Sequence, residues 1–186
     1  MMSVKRKALA FKVPGKVLGT RALGREVAEQ LRERAGDGTH DLFVDFAAVR
    51  VASSPFLDEL ARTLRAWNVD HPDRFVVLTH LNEDVQDTLT LVLERREMTL
   101  TELKAGKLRL IGGREHLEQT LSAAQELETF TAASLAEQLE LKLPNLHQRL
   151  SALQAAGAVV RVQPPGAPQR PLVFSTPPRD ELLVST

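Results

Sequence analysis

The chain has 186 residues, room for one large domain or two small ones. Its 24 basic and 24 acidic residues cancel, so no whole-molecule field draws it to nucleic acid or to a membrane surface. There is no cysteine, which removes disulfides, thiolate metal sites and a cysteine nucleophile and is compatible with a reducing cytoplasm. The N-terminal MMSVKRKALAFKV holds too short an apolar stretch for a signal peptide, and no run approaches the roughly 18 apolar residues of a membrane span. These features predict a soluble cytoplasmic protein with no membrane partner.

The first half alternates strand and helix patterns. Ala8 to Val13 predicts a strand broken by Pro14-Gly15, and Thr20 can cap a helix with Leu23, Val27 and Leu31 on one face, ending at Ala35-Gly36. Asp41 to Phe46 predicts a second strand. Ser53-Ser54-Pro55 then starts a helix whose core face is Leu57, Leu60, Leu64 and Trp67. Phe75 to Leu78 is a near-continuous apolar strand, the pattern of a sheet covered on both faces. Asn82 opens a third helix with Val85, Leu89, Val92 and Leu93 inward. Leu108, Leu110 and Ile111 suggest a last strand after a turn at residues 104–107, and Gly112-Gly113 reads as a hinge. This order predicts an α/β N-terminal domain over residues 1–111.

Arg114 to Leu127 begins a second, α+β domain, residues 114–176, followed by a tail at 177–186. A short amphipathic helix (Leu135, Ala136, Leu139) precedes a longer one with Leu143, Leu146, Leu150 and Leu153 on one predicted face. Gly157 stops it, an extended run Val159 to Val162 follows, and residues 164–168 are expected to be a loop between two short strands.

Two resemblances follow from these residues. Asp45-Phe46, Val49, Ser53-Ser54, Phe56 and Asp58-Glu59, with Gly19-Thr20-Arg21 upstream, resemble a STAS-like family related to anti-sigma-factor antagonists. That resemblance implies a protein-docking face. Ser54 stands where a GHKL-type kinase phosphorylates the antagonists, with Ser53 beside it and Asp58 and Glu59 as docking residues. The C-terminal order resembles the winged helix-turn-helix of MarR- and ArsR-like regulators, matched at Leu141, Leu146, Leu150 and residues 155–159. It implies duplex DNA as ligand, with Lys142, Asn145, His147, Gln148 and Arg149 on the reading helix and Arg161 and Arg170 flanking the wing. Glu140 occupies the turn position where many members of that family carry glycine.

Charge is segregated in this half. From Arg114 to Leu141 there are one basic and six acidic residues; from Lys142 to Thr176 there are four basic residues and no acid. Phosphate contacts supply most non-specific DNA affinity, and only four cations per copy imply a homodimer on two half-sites. The five histidines show no HxxxH or HExxH spacing, no Gly-rich phosphate loop follows a strand and no G-x-S-x-G elbow is present. No enzyme, cofactor or metal site is expected. The leading expectation is a DNA-binding transcriptional regulator whose STAS-like domain docks a partner or senses a signal. The alternative is an adaptor or antagonist of a partner-switching system, its winged helix used for dimerisation or protein docking.

Overall fold

A computed structural model describes residues 7–38, 40–162 and 172–177. Three strand-to-helix steps open the chain. β1 (Ala8–Lys12) passes through β2 (Val17–Leu18) into α1 (Arg21–Ala35). β3 (Asp41–Asp45) passes through β4 (Val51–Ala52) into α2 (Ser54–Asp70), and β5 (Val76–Thr79) leads directly into α3 (Glu83–Arg95). The helices start at the capping residues: Thr20, Ser53 and Asn82 accept the backbone N–H of Leu23, Phe56 and Val85. α1 ends at Gly36, whose N–H donates to the Arg32 carbonyl.

β6 (Leu100–Lys104) and β7 (Lys107–Ile111) form a hairpin beyond β5. The sheet order is β1-β3-β5-β6-β7, parallel from β1 to β6 and antiparallel between β6 and β7. The hairpin turn is Ala105-Gly106, both at positive φ (51° and 72°), as a two-residue turn demands. β6 carries no recognisable strand pattern because Thr101 and Glu102 are adjacent polar residues that are both buried. Burial pushes the Glu102 carboxyl up from its ordinary range.

α1, α2 and α3 cover one face of the sheet, where Leu42, Val44, Val76, Leu78 and Leu100 point. The other face presents Phe43, Phe75, Val77 and Leu108, and the C-terminal unit covers it. That unit comprises α4 (Glu115–Leu127), β8 (Thr129–Thr131), α5 (Ala132–Gln138), α6 (Leu143–Ala155), β9 (Val160–Arg161) and β10 (Val173–Ser175). Its strands form a small antiparallel sheet in the order β8-β10-β9. Leu121, Leu146, Leu153 and Phe174 belong to the same buried cluster as the four sheet residues, so the two halves of the chain share a core. The fold is mixed α/β, with six helices and a mixed sheet among the described residues.

Polar bonds fix this docking. Asn68 Nδ2 donates to the Ala155 carbonyl (3.0 Å), Thr101 Oγ1 to the Ala156 carbonyl (2.7 Å), and the Arg161 N–H to the Pro72 carbonyl (3.2 Å). Gly157 is required here: at φ +78° it lies so close to β5 that a Cβ would sit 2.5 Å from the Val76 carbonyl oxygen. The junction at Gly112-Gly113, expected as a hinge, is a close-packed turn. A Cβ on Gly112 would fall 2.7 Å from the Met98 carbonyl oxygen and 2.8 Å from Leu93 Cβ.

α4 also closes the β7 edge. The Leu108 and Leu110 N–H groups donate to Gln125 Oε1 (3.1 Å) and Glu118 Oε1 (2.9 Å). One helix position differs from expectation. Leu143 is 45% exposed, because the buried stripe of α6 is Leu146, Leu150 and Leu153, and the first residue of the helix extends beyond it.

Thr101→Val keeps the shape of the side chain and removes the donor to Ala156. Leaving that buried carbonyl unpaired should cost about 1–2 kcal/mol. The expected fall in thermal midpoint, read by circular dichroism, is roughly 3–6 °C.

Candidate functional sites

In the C-terminal unit, α5 starts in a reciprocal cap: the Thr131 hydroxyl accepts the Ser134 N–H, and Ser134 Oγ accepts the Thr131 N–H. The turn into α6 closes when the Leu141 N–H donates to the Ala136 carbonyl (2.9 Å), with Glu140 at φ +53°. Left-handed backbone at a non-glycine residue costs roughly 1–2 kcal/mol. The Glu140 side chain is held there by the turn and not by a favourable conformation of its own.

α6 then begins with Leu143-Pro144, its N-cap Lys142 making no side-chain cap bond. Lys142, Asn145, His147 and Gln148 are all exposed on the first two turns. Arg149 departs from its expected outward position. It stands three residues from Leu146 and four from Leu153, on the flank of the buried stripe. There its guanidinium donates to the His116 carbonyl (3.2 Å) and to Thr120 Oγ1 (3.1 Å), tying α6 to α4. Arg161 is exposed on β9, and Arg170 lies outside the described residues. Asn145, Gln148 and Arg149 border a cleft of about 800 Å³ that also includes Arg65, Arg114, Glu94 and Glu97. With both signs of charge in its walls, the cleft is no uniform cradle for phosphates.

The second cluster lies at the carboxyl ends of the parallel strands, where α1, α2 and α3 begin. Ser53 Oγ donates to the Gly19 carbonyl (2.9 Å) and accepts the Phe56 N–H (3.4 Å), so this hydroxyl brackets two chain segments. Ser54, the first residue of α2, is half-buried beside it. Val17 and Val51 face each other in the β2–β4 pair and are 69% and 51% exposed, an apolar spot two to three residues upstream of the serines. At the end of β3, Asp45 Oδ1 accepts the Ala47 N–H (2.9 Å) and lies 2.8 Å from His80 Nδ1. Asp45 thereby anchors the loop that follows it.

The structure corrects the docking assignment of Asp58. This residue is buried and held by a two-pronged bond from Arg96, with Nε to Oδ1 and Nη2 to Oδ2 both at 2.8 Å. Arg21 approaches it at 3.3 Å and reaches Glu59 at the same distance. The Arg96 hydrogen bonds, aided by the charges of Arg96, Arg21 and Arg62, hold the Asp58 carboxyl below its ordinary range against the opposing effect of burial. Asp58 therefore ties α2 to the starts and ends of its neighbours, and Glu59 is half-buried in the same network. Arg96 escapes sequence reasoning because a basic pair at a helix end, Arg95-Arg96, reads as an ordinary dipole partner.

Among the described residues, no group of three or more His, Cys, Asp or Glu side chains is placed to hold a metal ion, and no helix is long and apolar enough to cross a membrane. No protein-family model matches the chain, and a search of curated proteins finds no match.

Asp58→Asn should destabilise the protein by about 2 kcal/mol at neutral pH, between the values for exposed and buried ion pairs. The sign with pH is fixed by the lowered carboxyl. Its contribution is present above the unfolded value of 3.8 and is lost as pH falls through the lower folded value. The gap in thermal midpoint between wild type and variant should be full at pH 7 and should close below about pH 4.

Proposed function

We propose that the chain is a DNA-binding transcriptional regulator, in which residues 114–176 act as a winged helix and α6 reads duplex DNA. The observation that carries this reading is the exposed start of α6: Lys142, Asn145, His147 and Gln148 project from its first two turns. No acidic residue occurs from Lys142 to Thr176 to repel phosphate. Asn and Gln side chains suit the paired donor and acceptor of adenine, and Lys142 and Arg161 suit phosphate. Arg149 has a supporting part in this reading, holding α6 against α4 and not touching DNA.

The N-terminal α/β half acts in this reading as a STAS-like module that docks a protein partner at the carboxyl ends of its strands. Exposed Val17 and Val51 favour that role, since a solvent-facing apolar pair beside a helix N-terminus suits a protein contact. Phosphate on Ser54 by a GHKL-type kinase would place about two negative charges at the start of α2, where the helix dipole favours them. The same observation supports the adaptor reading, in which this face is the whole function and the C-terminal unit binds protein.

A fluorescence-anisotropy titration of the full chain against random duplex DNA separates the two. Binding should weaken steeply with salt. Lys142→Ala with Arg161→Ala should lower the slope of log affinity against log salt by about two. Absence of binding at low salt removes the DNA reading.

Ser54→Asp should change which proteins co-purify with the chain, or how tightly they are held. Identical partners with identical affinities for the variant and the wild type remove the Ser54 switch.

A further inference from the structure

The two edges of the five-stranded sheet are treated differently. The β7 edge is occupied by Glu118 and Gln125 of α4. β1, at the other end, pairs among the described residues only with β3. The direction of its peptide groups follows from the ladder: the Asp41 N–H donates to the Lys7 carbonyl (2.8 Å) and the Val13 N–H to the Asp45 carbonyl (2.9 Å). Alternation along a parallel pair then turns the N–H and C=O of Lys7, Leu9, Phe11 and Val13 toward β3. Those of Ala8, Ala10 and Lys12 point away from the sheet. β1 contains no proline, bulge or inward-pointing charge; the one edge protection it carries is Lys12, at the end of this five-residue strand.

We propose that this edge is the interface of a homodimer, in which two β1 strands pair antiparallel about a two-fold axis at Ala10 and join two sheets into one. Ala10 then meets Ala10 of the second copy, and Ala8 meets Lys12. This register uses all three outward residues. Sliding by two toward the C-terminus would set Pro14, which has no N–H, opposite Ala8.

The side chains agree with the same axis. Leu9 and Phe11 lie on the helix face of β1 and become cross-strand partners, extending the core they already join. Ala8 and Ala10 are small and exposed on the other face, where the described residues of the C-terminal unit do not reach β1. Lys12 faces Ala8, so no like charges oppose one another. Beside the strand runs a groove of about 620 Å³ against α1, lined by Phe11, Lys12, Gln30, Glu33 and Arg34. Glu33 and Arg34 bring both signs to the place where two α1 helices approach.

This inference is independent of the DNA reading, and its test uses no DNA. Sedimentation velocity of the full chain should show a dimer at tens of micromolar. Ala10→Lys opposes two ammonium groups at the axis while leaving the monomer's own hydrogen bonds intact; it should weaken dimerisation at least ten-fold with no change in thermal midpoint extrapolated to infinite dilution.

The chain's lack of cysteine allows the register to be read directly. Ala10→Cys should be joined to its copy by a bismaleimide of about 8 Å reach. Ala8→Cys should not, because two copies of residue 8 stand roughly 13 Å apart at about 3.3 Å per residue. A monomeric wild type, a dimer indifferent to Ala10→Lys, or cross-linking at residue 8 in place of residue 10 overturns the proposal.

Discussion

Both faces of the five-stranded sheet must be kept from water, and the rest of the molecule is arranged around that requirement. Leu42, Val44, Val76 and Leu78 look toward α1–α3; Phe43, Phe75 and Val77 alternate with them and look the opposite way. A parallel sheet needs cover on both sides. Here one cover is made from the crossover helices and the other from a C-terminal unit whose buried residues form one cluster with Phe43, Phe75, Val77 and Leu108. Hydrophobic burial therefore joins segments that the sequence separates by Gly112-Gly113. Asn68, Thr101 and Gly157 serve the same contact by pairing buried carbonyls or by letting two backbones touch.

Charge is organised on a second principle. Where the α/β half must hold its helix ends together, it uses a compact ion network around Asp58, with Arg96 in two-pronged contact and Arg21 shared with Glu59. Such groups are spent on architecture and present little net field. Lys142 and Arg161, exposed on the C-terminal unit, lie in a stretch from Lys142 to Thr176 that contains no carboxylate. Arg149, a cation in the same stretch, belongs with the architectural set.

Much of this was legible from residues alone. Capping serines, threonines and asparagines marked all three crossover helices because a side-chain acceptor at a helix start is a local device. Unbroken apolar runs such as FVVL announced double-sided burial for the same reason: their surroundings were already implied by their composition. What escaped depended on distant partners. β6 was hidden because Thr101 is polar for the sake of Ala156, which lies 55 residues away. Asp58 resembled a docking residue until Arg96 was seen beside it. Arg149 looked outward on a pattern of leucines that included Leu143, whereas the true stripe begins at Leu146 and turns the arginine inward. The pairing of Gly112-Gly113 suggested looseness, but glycine there answers crowding by Met98 and Leu93.

The attachment of α6 has a mechanical side. The helix is fastened on one side along most of its length: Leu146 and Leu150 are buried in the shared core, Arg149 bonds to α4, and Ala155 and Ala156 are gripped by α2 and β6. Thirteen residues span about 20 Å at 1.5 Å per residue, and these attachments are spread over most of that span. Asn145 and Gln148 stand on the opposite, solvent-facing side of the same rod. They are therefore carried rigidly, and a shift of either one requires the whole of α6 to move against α4, α2 and β6 together.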